Sequence, residues 1–272
     1  MDADRDISSM SYKKRFPFNI GCTSYVLPDS IIPNVKYMSD FVDDIELLFF
    51  ESFDNSSLIS NSEIAELRSI SLDKNISYSV HCPIDIHAGS ADRSVQDKFV
   101  NQIELIIEIT KTLNISGYIV HLDGISDISS EEEIESWRNS VDSVCKRIGE
   151  IKSIDSSMIC IENLAYDPKF NIDIVNKNDF SFCLDMGHFW LHKHNWESFF
   201  PAVLNKTRVI HLHGIHNGKD HRSLKVNECL QLDYFLKYCL TDYSQLLTVE
   251  LFNKDAAFES LQYIKEIWER SH

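Results

Sequence analysis

The chain has 272 residues, close to the ~250 of a single large barrel domain, and its hydrophobic (43%) and charged (25%) fractions are those of an ordinary globular protein. Twenty-six Lys and Arg against 42 Asp and Glu leave a formal charge of −16, an anionic surface that repels phosphate backbones and argues against duplex nucleic acid as a partner. Seven cysteines without a CxxC pair read as reduced thiols. The polar start MDADRDISSMSYKKRF and the short apolar runs lack a signal-peptide core and a membrane span, so a cytoplasmic protein with no membrane partner is expected.

In chain order, residues 1–15 read as a loose arm and 16–272 as one catalytic domain. Eight β-rich runs follow: FNIGCTSY (18–25), IELLFFE (45–51), ISYSVHC (76–82), GYIVHL (117–122), SMICIE (157–162), FSFCLD (180–185), RVIHLHG (208–214) and LLTVELF (246–252). Their Ile, Val, Phe and Leu content, with charges mostly at the ends, is the pattern of strands buried on both faces. Helical patterns lie between them. Over 94–113, Val95, Phe99, Ile103, Ile106 and Ile109 line one face; 131–151 and 256–268 read alike, and a short helix is expected near 171–177. Eight β-then-α units without a Gly-rich dinucleotide fingerprint predict an α/β fold, a single closed (β/α)8 TIM barrel.

In such a barrel the C-terminal strand ends share one rim, where barrel enzymes carry their chemistry. Here those ends carry His81, His121, Glu162, Asp185 with His188 just beyond, His211 and His213, and Glu250; His216 and His221 follow strand seven. Seven of the eleven histidines thus fall on one rim. Imidazole and carboxylate together suit divalent Zn, Mn or Fe, and unpaired buried carboxylates would otherwise lack neutralising charge. The expected metal ligands are His81, His121, Glu162, Asp185, His211 and Glu250, holding two ions, with His188 and His221 as candidates for a third. Glu162 would bridge, Glu250 or Asp185 would orient the attacking water, and His213 or His216 would protonate the leaving oxygen. Asp85, Lys219 and Arg222 are expected substrate contacts, and Glu51 a rim residue. Cys160 and Cys183, two residues before Glu162 and Asp185, should fill the barrel interior one layer below.

The segments HCPIDI, IVHLDG, ICIEN, CLDMGH, IHLHG and VEL, taken in order, resemble the apurinic endonuclease and xylose isomerase-like superfamily. FNIGCTSYVLPDSIIPNV, VDDIELLFFES and VHCPIDIHAGSADRSV are more closely similar to the cobamide-remodelling phosphodiesterase (CbiR) family. That resemblance implies metal-dependent hydrolysis of the phosphoribosyl bond in the nucleotide loop of a small-molecule corrinoid, a cobamide, giving cobinamide phosphate and a lower-ligand nucleoside. In the DNA-repair relatives an Asp-x-His pair after strand seven helps to hold a third metal; here Lys219 stands where the Asp would fall and His221 where the His would fall, so two metals are expected. The competing readings are a sugar isomerase or epimerase of the same superfamily and a non-catalytic corrinoid-binding or metal-storage protein.

Overall fold

The computed structural model describes residues 11–52, 59–126 and 129–271. Eight parallel strands close into a barrel in the order β1 (Asn19–Thr23), β2 (Asp44–Leu48), β3 (Ser77–His81), β4 (Ile115–Val120), β5 (Ile159–Glu162), β6 (Ser181–Asp185), β7 (Thr207–Leu212) and β10 (Leu246–Val249), with β10 hydrogen-bonded back to β1. All eight runs of the sequence become these strands. The two strands not anticipated, β8 (Gly214–His216) and β9 (Lys219–Arg222), form a small antiparallel hairpin over the rim after β7. Their polar residues and short length give no strand signal.

The helices wrap the outside. Ser30 precedes α1 (Ile31–Met38). Capping boxes of Ser60 with Glu63 and Ser130 with Glu133 start α2 (Asn61–Lys74) and α4 (Glu131–Gly149), satisfying otherwise orphaned backbone N–H groups. Between them lies α3 (Arg93–Thr110); further on come α5 (Phe170–Asn178), α6 (Met186–Leu191), α7 (Trp196–Val203), the single turn α8 (Leu232–Tyr234) and α9 (Lys254–Ser271). No helix among the described residues is long and apolar enough to cross a membrane.

Alternation along the strands separates two apolar layers. Outward residues such as Ile45, Leu47, Val80, Val120 and Ile161 pack under the helices in the main core, whereas Ile119, Cys160, Cys183, Val209 and Leu246 form a separate cluster inside the barrel. Cys160 and Cys183 therefore occupy the inner layer, and burial raises both thiols, so they are apolar filler beneath the rim.

The loose arm expected over 1–15 is only partly described, because residues 1–10 lie outside the described residues. Residues 11–15 are docked rather than loose. Tyr12 is buried, its backbone N–H donates to the Phe41 carbonyl, and Lys13 Nζ donates to the carbonyl oxygens of Ser39 and Lys74. One aromatic side chain and a cation serving the C-terminal carbonyls of α1 and α2 outweigh the polar composition from which the arm was inferred.

Candidate metal centre

Register brings the strand ends into one ring. Asp185 lies opposite His211, so the ligands of β6 and β7 stand at one level of the barrel, and Glu250 follows two residues after Thr248, the residue opposite His211 on β10. His81, Glu162, Asp185, His211 and Glu250 are buried there, with His121 and His188 at the solvent edge. Glu162 is central. Its Oε2 lies 2.9 Å from His121 Nε2 and 3.5 Å from His81 Nε2, while its Oε1 lies 3.6 Å from both His188 Nδ1 and His211 Nδ1. Three metal-sized sets share it: His81, His121 and Glu162 on one side, Glu162, Asp185, His211 and Glu250 on the other, and Glu162 and His211 with Cys183, whose thiol is pushed up by burial.

The unused hydrogen-bonding capacity fits divalent cations. His211 Nδ1 and Glu250 Oε2 are 3.1 Å apart and buried, yet neither has a hydrogen-bond partner. Buried polar atoms are almost always partnered, so two such atoms converging on one point indicate a cation that both would ligate. His81 is prepared in the same way: its Nδ1 donates to the Cys82 carbonyl at 3.0 Å, which fixes the ring and leaves Nε2 aimed at Glu162. Nitrogen and carboxylate donors of this kind suit Zn, Mn or Fe.

Without a cation, protons take its place. Burial by itself would raise the Glu162 and Glu250 carboxyls, but the neighbouring imidazoles, His121 and His211 at Glu162 and His211 and His221 at Glu250, hold both well below the usual range. Asp185 is lowered by His188 and His213 against the same burial cost. Burial would likewise lower the imidazoles; the surrounding carboxylates instead raise His81 and His188. Cys183, Glu46 and Glu250 raise His211 well above its ordinary value, and Glu250 takes His221 to about 9.

Two partners act from behind the ligands. Glu46, two residues before the end of β2, accepts from His211 Nε2 at 2.8 Å; both side chains are fully buried. His213 Nε2 donates to Asp185 Oδ2 at 3.1 Å, while its Nδ1 accepts the backbone N–H of His221 at 3.1 Å. A backbone N–H can only donate, so this bond fixes the tautomer; the 3.5 Å approach of the same nitrogen to the Gly214 carbonyl is at the edge of hydrogen-bond range. His213 is thus buried with both nitrogens engaged, a geometry that holds Asp185 and leaves no free nitrogen to protonate a leaving group, as expected of it from sequence. Gly187 makes this possible. A Cβ there would lie 2.0 Å from the His213 ring, so only glycine lets the start of α6 close over it.

The remaining sequence candidates separate. His221, at φ 48° in the left-handed region that side chains rarely adopt, stacks on His213 at 4.2 Å and reaches Glu250 Oε2 at 3.5 Å. Asp220 faces His221 Nδ1 at 3.4 Å. His216 is exposed and pairs with Glu228, outside the cluster. Asp85 accepts from the backbone N–H and hydroxyl of Ser52 at 2.9 and 2.8 Å, a loop clasp. Lys219 and Arg222 are exposed at the two ends of β9, and Glu51 is exposed after β2. Glu46, in the middle of an apolar run, is the partner that the strand-end rule passes over; its signal is parity, since it shares the inward face with Asp44.

A match to the family model described as xylose isomerase-like TIM barrel spans residues 42–267. The chain belongs to the xylose isomerase-like TIM barrel family. Among solved members of this fold, a D-tagatose 3-epimerase-like protein superposes with a TM-score of 0.78 at 21% identity, covering 93% of this chain and 98% of that one. The 3-keto-D-glucoside 4-epimerase from E. coli gives 0.71 at 14%, covering 92% and 99%, and endonuclease IV from Thermus thermophilus 0.69 at 14%, covering 93% and 99%. At these identities the superpositions establish the xylose isomerase-like barrel and no more. A search of curated proteins finds no significant match.

Proposed function

We propose that the chain is a metal-dependent phosphodiesterase that hydrolyses the phosphoribosyl bond in the nucleotide loop of a cobamide, giving cobinamide phosphate and a lower-ligand nucleoside. The observation that carries the reading is the pair of histidine–carboxylate ligand sets joined through Glu162. A phosphodiester monoanion resists water because its charge repels the nucleophile and its leaving alkoxide is poor. Divalent ions held by these residues would supply the remedy, neutralising phosphoryl charge and making water acidic near neutral pH.

The chain's own residues then have separate tasks. Glu162 faces both sets, one oxygen to each side. Glu250, 4% exposed, lies at the inner edge of the rim where it would orient the attacking water or take its proton. His213 holds Asp185. His221, raised to about 9 and a quarter exposed, would hold a proton for the leaving oxygen, the task assigned from sequence to His213 or His216. The closer likeness of the segments around 18–35, 42–52 and 80–95 to the cobamide-remodelling phosphodiesterases supplies the substrate. Duplex DNA is not the substrate in this reading: the −16 charge disfavours a phosphate backbone.

One observation favours a second reading. Glu162, Asp185, His211 and Glu250 form a compact set that would hold a single ion, with Glu162 and Glu250 as the two carboxylates of a sugar epimerase's proton shuttle. His81 and His121 discriminate, because a one-ion site has no task for them. In oxygen-18 water the phosphodiesterase reading places label in the phosphate of cobinamide phosphate; label in ribose alone would mean C–O cleavage and exclude attack at phosphorus.

A further inference from the structure

A cavity of about 470 Å³ opens on the same rim, beside the metal ligands, among the loops that follow β1, β2 and β10. Its walls are Tyr25, Ile31, Leu48, Phe50 and Phe252. Two ring contacts join the cavity wall to the cluster. Phe50 meets His81 edge-on at 4.9 Å, and Phe252 stacks on His221 at 5.0 Å; the two phenylalanines meet each other at 5.8 Å.

The buried polar group in the wall, Ser24, is already used, and the charged one, Asp29, lies exposed at the outer edge. Ser24 Oγ accepts the Leu48 N–H at 3.1 Å and its own N–H donates to the Glu46 carbonyl, while Asp29 Oδ1 accepts the Ser30 N–H at 2.7 Å. A polyol placed here would bury hydroxyl groups without partners, at a cost that such sites use to reject ligands. A flat uncharged ring would gain apolar area and three aromatic faces or edges. The volume lies within the ~300–1,000 Å³ of small-molecule sites.

We infer that this cavity is the subsite for a planar, uncharged bicyclic aromatic base carried by the substrate, seated between Tyr25, Phe50 and Phe252 with its ribosyl phosphate toward His81 and Glu162. The inference rests on the phosphodiesterase reading above and adds what the leaving nucleoside must look like. Tyr25, 50% exposed, forms the outer wall and can be truncated without opening the core.

Titration calorimetry on the full chain in the presence of chelator tests it, with benzimidazole and D-fructose as probes. Benzimidazole should bind saturably to the metal-free protein and D-fructose should not. Tyr25→Ala and Phe252→Ala should each weaken benzimidazole by about tenfold, in the range of ~1–3 kcal/mol per stacked base. No saturable benzimidazole binding, or binding unchanged in both variants, would overturn the subsite. Benzimidazole binding without any cobamide cleavage by the metal-loaded protein would leave the subsite standing and remove the phosphodiesterase. Cobamide cleavage that benzimidazole does not inhibit would do the reverse.

Discussion

Glu46 Oε2 accepts a hydrogen bond from His211 Nε2 at 2.8 Å inside the barrel, with neither side chain exposed. The bond leaves Nδ1 as the free nitrogen of His211 and points it between Glu162 and Glu250. Partners of this kind raise the basicity of a ligating imidazole and hold its tautomer, and their loss costs on the order of 10- to 100-fold in metal affinity. Glu46→Gln should weaken binding at the Asp185–His211–Glu250 side by that factor, read by competition with a chromophoric chelator, and spare the His81–His121 side. Equal affinity in wild type and variant would take the positioning role away.

The shared carboxylate makes metal content a graded quantity. Protein purified without chelator should carry about two divalent ions per chain, with Zn the first expectation and Mn or Fe the alternatives. His81→Ala should retain one and Glu162→Ala neither, by elemental analysis. Full metal content in Glu162→Ala would contradict the bridged arrangement.

Gly187 is where the backbone must approach His213. Gly187→Ala places a methyl 2.0 Å from the ring, and overpacking of this kind costs ~1–3 kcal/mol. A lowered melting temperature is expected, with a further loss of metal from the Asp185 set because the ring can no longer hold Asp185 Oδ2. His213→Ala should show the metal loss with less strain. Thermal denaturation with and without added metal separates the two effects.

Much of the site was legible because parallel strands deliver their ends to one rim: His81, His121, Glu162, Asp185, His211 and Glu250 could be placed together from eight apolar runs and the residues that close them. Residues whose role depends on what packs behind them were not. His213 shares the parity of His211, but whether it faces solvent or lies under α6 depends on Gly187 and on the turn at His221, neither of which periodicity reports. Glu46 was passed over for Glu51 because a strand-end rule looks at the last charge of IELLFFE, while the register places Leu48, not Glu51, opposite His81. Asp85 turned instead to Ser52, a pairing across 33 residues that no local motif encodes.

The metal-free protein should have a particular pH profile. His221 is raised to about 9 by Glu250 against the cost of burial, so its stabilising contribution is complete below its ordinary value near ~6.5 and is lost as pH rises through about 9. Chelated protein should therefore become less stable over that window by denaturant unfolding. Metal affinity should move the opposite way, rising with pH as the cation displaces protons held on His81, His188 and His211. A chelated protein that gains stability across this window would contradict the assignment of protons to these imidazoles.

The central claim is metal-dependent cleavage of a cobamide. Purified protein is stripped with chelator, divided, and incubated with a cobamide before and after Zn is restored, the products being separated by chromatography. The account predicts an intact cobamide in the stripped sample, and cobinamide phosphate with free nucleoside once metal returns. An intact cobamide in both, with a ketose epimerised by the restored protein, would contradict it and favour the one-ion reading.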